Sequence, residues 1–396
     1  MCLAFAVCCQ AICCMGRGFC DCCCSGLKKC GLSAKTFPKV GFVVLDISFM
    51  IISMILMYTL RPLFKDNDWL ECNDASGGGY DCFGTAAVLR ASFTLFLFHT
   101  FILLLMIPRG NCAMHIHDGW FTAKFIVLLA VYILTFWIHN DFFKAWADIC
   151  RAGSVVYMFV QAYFLLNFSY LWNDELWEAK GKDQCYAHFL LCGFSIILSI
   201  LCSIWLAFQF VWYAGCALGV FVLIITIAFF IIFYTISLLK LCDVDLFRPN
   251  ATVFVVGFVN TYLVFLSWSA LASHPDEECN EMIDNGANTF FQILIGSIFC
   301  FINLYSIATA TAKGGNADKT SMGQGLIEEE KDAEVAKDEE RGLFPVTGAT
   351  MFFQGVMLLV SLYFGMLFTN WGYAIIDIDD DFAENAYFSM WVKLIT

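Results

Sequence analysis

The run "AVLRASFTLFLFHTFILLLMIP", Ala87 to Pro108, carries an arginine near its start and a histidine near its middle, two side chains that hydrocarbon solvates poorly. Arg90 lies close enough to one end for its long side chain to reach headgroups, so snorkelling is its expected role. His99 is about eight residues from the other end and too short to escape. At 100° per residue, Arg90 and His99 fall on opposite faces of a helix, whereas Ser92 shares a face with His99. Asp46, six residues into the preceding apolar run, falls at a similar depth to His99. An acid and an imidazole at one depth in a bilayer are expected to pair, or to line one polar cleft with Gln161 and Asn167 from a later run. An interhelical hydrogen bond of purely structural role is the plainer reading of the same residues.

Those residues need helices to position them, and the composition supplies the setting. Of 396 residues, 60% are hydrophobic and 14% charged, and the mean hydropathy is +0.73. A soluble domain is nearer half apolar and a quarter charged, so the chain reads as a membrane protein. Apolar runs of about 20 residues, enough to cross about 30 Å of hydrocarbon, recur along its length. Nine spans are expected: Val40 to Leu60, Ala86 to Ile107, Thr122 to Ile138, Ser154 to Trp172, Ala187 to Phe208, Trp212 to Leu239, Ala251 to Leu271, Thr289 to Thr311 and Thr347 to Asn370. A tenth run, Ala386 to Thr396, is half the usual length. The runs are continuous rather than alternating, which favours helices over a barrel of dyad-patterned strands. All six prolines, Pro38, Pro62, Pro108, Pro249, Pro275 and Pro345, lie at the edges of these runs, where a missing backbone donor does least harm.

The fold class expected is therefore all-α and polytopic, with nine to ten transmembrane helices. The organisation expected is a Cys-rich basic segment over 1–39, a first bundle over 40–138, a long crossing helix over 139–182, a second bundle over 187–311, an acidic loop over 313–346, and a ninth span with a partial tenth over 347–396. Between Asp141 and Lys180 there is no proline and one glycine, Gly153, so a continuous helix of about 60 Å is allowed. Its length exceeds the hydrocarbon about twofold, which calls for tilt or for extension beyond the membrane.

If the N-terminus is cytoplasmic, sixteen Lys and Arg fall on the inner side and five on the outer, with Lys393 unassigned. That asymmetry places the N-terminus and the acidic loop in the cytoplasm, in the plasma membrane or an endomembrane. Part of the formal charge of −13 lies in outer segments such as "DIDDDFAEN", so nucleic acid is not an expected partner. The sequons at Asn167 and Asn250 fall in a span and on the inner side, so neither is expected to be glycosylated. The acidic loop has the composition of a solvated linker, with a trafficking adaptor as the sharper reading.

Ten of the 21 cysteines lie in the first 30 residues. Doubled and tripled cysteines with no histidine nearby do not give the paired spacing of a zinc module, so no metal is expected. Beside a basic stretch they suggest reversible palmitoylation, at Cys22, Cys23 and Cys24, with an unmodified amphipathic segment as the alternative. Cys72, Cys82 and Cys279 fall in outer loops that permit disulfides, and Cys72 with Cys82 is the pairing expected first.

Five motifs in order, "AVLRASF" (Ala87 to Phe93), "HIHDGWFTAKF" (His115 to Phe125), "VQAYFLLNFSYLWND" (Val160 to Asp174), "YLVFLSWSAL" (Tyr262 to Leu271) and "LFTNW" with "MWVK", resemble the serine incorporator family over the whole chain. The chain departs from the family where an aspartate usually precedes Ala-His and Trp-Asn. Asn167, Ser169 and Tyr170 stand there before Trp172 and Asn173, so a role needing that acid is not carried over. The resemblance implies ten helices in two bundles joined by a long tilted helix. It also implies phospholipid handling: energy-independent lipid scrambling and support of serine incorporation into phosphatidylserine and sphingolipids.

No P-loop, H-E-x-x-H or G-x-S-x-G occurs, so no catalytic residue and no cofactor are expected beyond bound phospholipid, and the chain does not read as an enzyme. The expected route is a polar groove in which headgroups pass Asp46, Arg90, Ser92, His99, Gln161 and Asn167. His99→Phe is then expected to abolish transport and spare folding. The partners expected are membrane lipids, with lipid-synthesising enzymes, trafficking adaptors or further copies of the chain. A non-transporting accessory or scaffold, and a secondary transporter for serine or an ion, stand as alternatives. The paired broken spans of a midplane transport site are absent from the hydropathy pattern.

Overall fold

The computed structural model describes residues 37–64, 79–108, 116–181, 189–241, 252–276, 278–282, 286–313, 348–371 and 381–395. Among these the chain is helical, without strands. Ten α-helices follow in order: α1 Phe37–Phe64, α2 Gly79–Met106, α3 Phe121–Leu134, α4 Asn140–Gly181, α5 Ser195–Tyr213, α6 Ala217–Leu241, α7 Val253–Leu271, α8 Gly286–Lys313, α9 Gly348–Phe368 and α10 Asp381–Ile395. Seven helices among the described residues are long and apolar enough to cross a membrane, and Phe121–Trp137 is a shorter apolar one. The acidic loop and the Cys-rich N-terminal segment lie outside the described residues.

The expected boundaries shift where the backbone does something that hydropathy does not record. The third run ends early, because α3 tightens into a 3₁₀ turn over Thr135–Trp137. The fifth opens with a π-helical turn, Phe189–Phe194, before α5. Between α5 and α6 the chain breaks at 214–216, where the Glu278 carbonyl takes the place a side chain on Gly215 would fill. The short last run forms a 15-residue helix, α10. The unbroken helix allowed by the sequence is present as α4, 42 residues long.

The chain divides into two compact units, residues 1–154 with 304–375, and 155–303 with 376–396. In the first unit α2 is the central helix, packed by α1, α3 and α9. That α9 returns to α2 is a placement sequence order leaves open. Lipid tails are as apolar as leucine, so such packing rests on small residues and interhelical hydrogen bonds rather than on burial from water. Gly365 of α9 serves that purpose: a Cβ there would stand 2.9 Å from Ser92 Oγ and 3.0 Å from Cys150 Sγ. Gly153, the lone glycine of the long uninterrupted stretch, is occupied in the same way by the side chain of Leu362.

In the second unit α7 is buried nearly all round and is packed by α5, α6 and α10. The outer faces of α5 and α6 instead expose Ile196, Ile200, Ile204, Phe221, Ile224 and Ile231, the face a hydrocarbon solvent covers. A buried hydrogen-bond chain ties three of these helices together. Gln209 of α5 donates to the Val264 carbonyl (3.0 Å), Ser267 of α7 donates to Gln209 Oε1 (3.2 Å), and Thr226 of α6 donates to Ser267 Oγ (3.1 Å).

Candidate functional site

The polar centre of the first unit is built on the face of α2 that Ser92 and His99 share. Both residues meet α9. Ser92 Oγ donates to the Ser361 carbonyl at 2.7 Å, and His99 Nδ1 lies 2.9 Å from Gln354 Oε1. The partners are seven residues apart on both helices, two turns each, and run in opposite directions, which fixes an antiparallel register. On its other side His99 Nε2 lies 2.9 Å from Asp46 Oδ2 of α1. All of Asp46, Ser92, His99 and Gln354 are fully buried.

Both imidazole nitrogens face oxygen atoms, Nδ1 that of Gln354 and Nε2 that of Asp46, so the ring of α2 ties α9 to α1. Asp46 Oδ1 and Gln354 Nε2 are buried without a hydrogen-bond partner.

Arg90 does not snorkel. Its side chain is fully buried, with Nε 3.3 Å from the Thr135 carbonyl, Nη1 3.1 Å from both the Ala86 carbonyl and Asn140 Oδ1, and Nη2 3.1 Å from the Ile138 carbonyl. The guanidinium also lies 4.3 Å from the centre of the Phe143 ring and 5.4 Å from that of Phe136. The physical reason is the turn after α3. A helix end leaves carbonyls without intrahelical partners, and the planar five-donor fork of arginine satisfies several at once. Arg90 is therefore the clamp of the α3–α4 connection.

On α4, in the second unit, Gln161 is 1% exposed and its Oε1 has no hydrogen-bond partner, whereas Asn167 is half-buried. Tyr163, Asn167, Tyr170 and Asp174 follow at spacings of four, three and four, one stripe along the helix, and none of the four is buried.

The cysteine expectations have mixed outcomes. Cys22, Cys23, Cys24 and Cys72 lie outside the described residues, as does the side chain of Cys82. Cys279 is joined to Cys216 in a disulfide. Cys216 sits in the break before α6, inside a run that hydropathy reads as continuous. His274 lies with these two sulfurs, their ligand atoms all within 4.8 Å of one another, but sulfurs bonded to each other offer no thiolate to a metal.

His274 instead holds the loop. Its Nδ1 accepts a hydrogen bond from the Asp276 amide at 3.1 Å, and its carbonyl accepts one from Asn280 Nδ2 at 3.1 Å. Burial pushes the His274 imidazole below its ordinary 6.5, against the charge of Asp276. The unfolded chain then takes up this proton at higher pH than the folded one. Stability is complete above about pH 6.5 and falls as pH drops from there toward the depressed folded value. Thermal unfolding of purified protein is expected to shift to lower temperature between about pH 7 and 5, and His274→Gln is expected to make that dependence shallower. An unchanged slope in this variant would remove His274 as its source.

Sequence reading missed three kinds of partner. Gln354 was findable as the lone amide in the interior of the ninth run, but not its match to His99. Lys393 of α10 is buried, and its Nζ donates to the Ser269 carbonyl (3.1 Å) and to Ser273 Oγ (2.7 Å) of the segment that ends α7. Lys39, His117 and Lys124 form a second polar group, described below.

Long apolar helices tied together by buried polar side chains define a polytopic α-helical integral membrane protein. The family model of the serine incorporators matches residues 12–396, and the chain belongs to that family. A probable serine incorporator of Dictyostelium discoideum is 25% identical over 86% of this chain and 82% of its own length. Serine incorporator 5 of Danio rerio is 23% identical over 97% and 93%, and serine incorporator 2 of Mus musculus 23% over 88% and 84%.

Proposed function

We propose that this protein lets phospholipids cross between leaflets without an energy source, and so supports serine incorporation into phosphatidylserine and sphingolipids. Membership of the serine incorporator family favours this reading. The observation that carries it is the stripe of Tyr163, Asn167, Tyr170 and Asp174 on α4. A helix otherwise dressed for hydrocarbon keeps polar tips along one line over about 16 Å at 1.5 Å per residue. A headgroup moving along such a line exchanges one hydrogen-bond partner for the next, while its acyl chains stay in lipid. Of the residues first assigned to the route, Asn167 stays in it. Asp46, Arg90, Ser92 and His99 are engaged within their own unit.

The protein is a passive conduit rather than an enzyme, and membrane lipids are its partners. Its N-terminus is cytoplasmic in this reading. The Lys and Arg asymmetry supports that orientation, and so does the Cys216–Cys279 disulfide, which suits the oxidising side opposite.

Liposomes that contain only this protein, with fluorescent lipid in both leaflets and an impermeant quencher outside, test the proposal. Rapid loss of inner-leaflet protection is expected, and a chain with Asn167→Leu and Tyr170→Phe is expected to slow it about tenfold or more, as lost polar contacts of 1–2 kcal/mol would. Protected inner-leaflet lipid would refute the proposal. Serine uptake without flipping would assign a transporter, and neither activity a scaffold.

A further inference from the structure

Beyond the Asp46–His99 pair, on the other side of Phe42, lies a group that the proposed function does not use. It comprises Lys39 near the start of α1, His117 and Asp118 in the turn before α3, and Lys124 one turn into α3. The side chains of Lys39, His117 and Lys124 are buried, at 5%, 3% and 6% exposure, while Asp118 is 27% exposed. Lys124 Nζ donates to the His117 carbonyl at 2.7 Å and lies 4.2 Å from the ring centres of both Phe42 and Phe121. The His117 ring packs 4.9 Å from that of Phe42, and its Nδ1 is 2.7 Å from Asp118 Oδ1. His117 Nε2 is buried with no hydrogen-bond partner.

The charges here do not balance. Asp118 is the one carboxylate among the described residues that reaches Lys39, Lys124 and His117 alike. One carboxylate cannot neutralise two buried ammonium groups, and an uncompensated charge in a dry site costs several kcal/mol. Two aromatic faces offset part of this for Lys124. Lys39 has no such ring. Burial holds the His117 imidazole below its ordinary 6.5, with Lys124 and Lys39 pushing the same way and Asp118 opposing. His117 is thus neutral at pH 7, and with Nδ1–H given to Asp118 its orphan Nε2 is a base awaiting a proton.

We propose that this cluster binds one phosphate group, held by the Lys39 and Lys124 ammonium groups and by His117 Nε2, which takes up a proton as the anion arrives. A phosphate has what the cluster lacks: negative charge enough for both lysines, and several oxygens to share among three donors. Proton uptake converts Nε2 from acceptor to donor, so N–H···O replaces an empty lone pair. The groups that face His117 are Lys39 from α1, Lys124 from α3 and Asp118 beside it, with the His99 ring beyond Phe42, 5.9 Å from it. Pro38, beside Lys39, and Gly119 with exposed Trp120 place the cluster at helix starts. A free phosphate and the phosphate of a lipid headgroup share this chemistry.

Binding here needs no flipping, so the test is independent of the liposome assay. The full chain is purified in detergent, and its unfolding temperature is followed against sulfate and inorganic phosphate, with chloride at matched ionic strength as control. Sulfate and phosphate are expected to stabilise and chloride not. Sulfate does not titrate near neutrality, so the pH dependence of its apparent Kd reports the protons taken up by the cluster, those of Lys39 and Lys124 included, and binding tightens as pH falls. Lys39→Met is expected to abolish the anion response while leaving the anion-free protein at least as stable. His117→Gln is expected to keep a weaker response with a shallower pH slope, the difference being the share His117 contributes. Competition by short-chain phosphatidic acid at lower concentration than inorganic phosphate assigns a headgroup; equal potency assigns free phosphate. Equal unfolding temperatures in sulfate, phosphate and chloride, or a Lys39→Met response equal to that of the parent, overturns the site.

Discussion

Replacing His99 by phenylalanine is expected to destabilise the protein by about 3–5 kcal/mol, the range for breaking a buried ion pair from one side. The average interhelical hydrogen bond in membranes is worth far less, about 0.6 kcal/mol, so the choice between the two figures has to be argued. Asp46 decides it. Its Oδ1 already has no partner, and its Oδ2 has His99, so phenylalanine would leave a carboxylate in a site without a cation or donor. Gln354 would lose its acceptor role in the same step.

Asp46→Asn, which keeps a neutral hydrogen bond, is expected to cost less than about 1.5 kcal/mol. Asp46→Leu combined with His99→Phe removes both polar partners and is expected to recover most of the loss. Denaturant or thermal unfolding in detergent measures all three. A His99→Phe protein within about 1 kcal/mol of the parent would mean the pair is not sealed. The double variant also separates folding from transport: loss of lipid flipping counts for a transport role of the pair only in a chain whose stability has been restored, and retained flipping there counts against one.

The elements were legible because a bilayer imposes a length on every span and because proline is excluded from their interiors. The continuity of α4 could be read from the absence of helix breakers between Asp141 and Lys180. The pairing of Asp46 with His99 was legible for a related reason, since depth in an apolar run is a coordinate that sequence supplies directly. What stayed hidden depends on rotation and on backbone geometry. Gln354 lies 255 residues from His99, and the match needs the antiparallel register of α2 and α9, which no local pattern records. Cys216 escaped because three residues of non-helical chain hide within an apolar stretch. There the Glu278 carbonyl, from a distant loop, leaves no room for a side chain on Gly215. The Lys39, His117 and Lys124 group was scattered over two span ends, each charge plausible as an ordinary boundary residue.

Arg90 was misread for the same reason, and it carries the second large effect. Its acceptors are three carbonyls and one amide oxygen, two of those carbonyls and the amide lying 45 to 50 residues downstream at the turn between α3 and α4. Carbonyl groups leave no trace in composition, so a clamp on a helix end looks, in sequence, like a cation near an interface. Lysine keeps the charge but offers a compact ammonium in place of the fork, and it cannot serve Thr135, Ile138 and Asn140 together. The Thr135 carbonyl keeps the Ile138 amide at 3.1 Å, so the loss centres on the Ile138 carbonyl and Asn140 Oδ1; at about 1–3 kcal/mol for a buried acceptor that loses its donor, Arg90→Lys is expected to destabilise the first unit by about 2 kcal/mol or more. Arg90→Met, which also removes the charge, is expected to be no better than lysine, because the lost hydrogen bonds to the turn are the larger loss. Hydrogen exchange separates this from snorkelling. A clamp predicts faster exchange at the amides of residues 135–142 in both variants. An interfacial anchor predicts that lysine restores the parent's rates, and that result would return Arg90 to the membrane boundary.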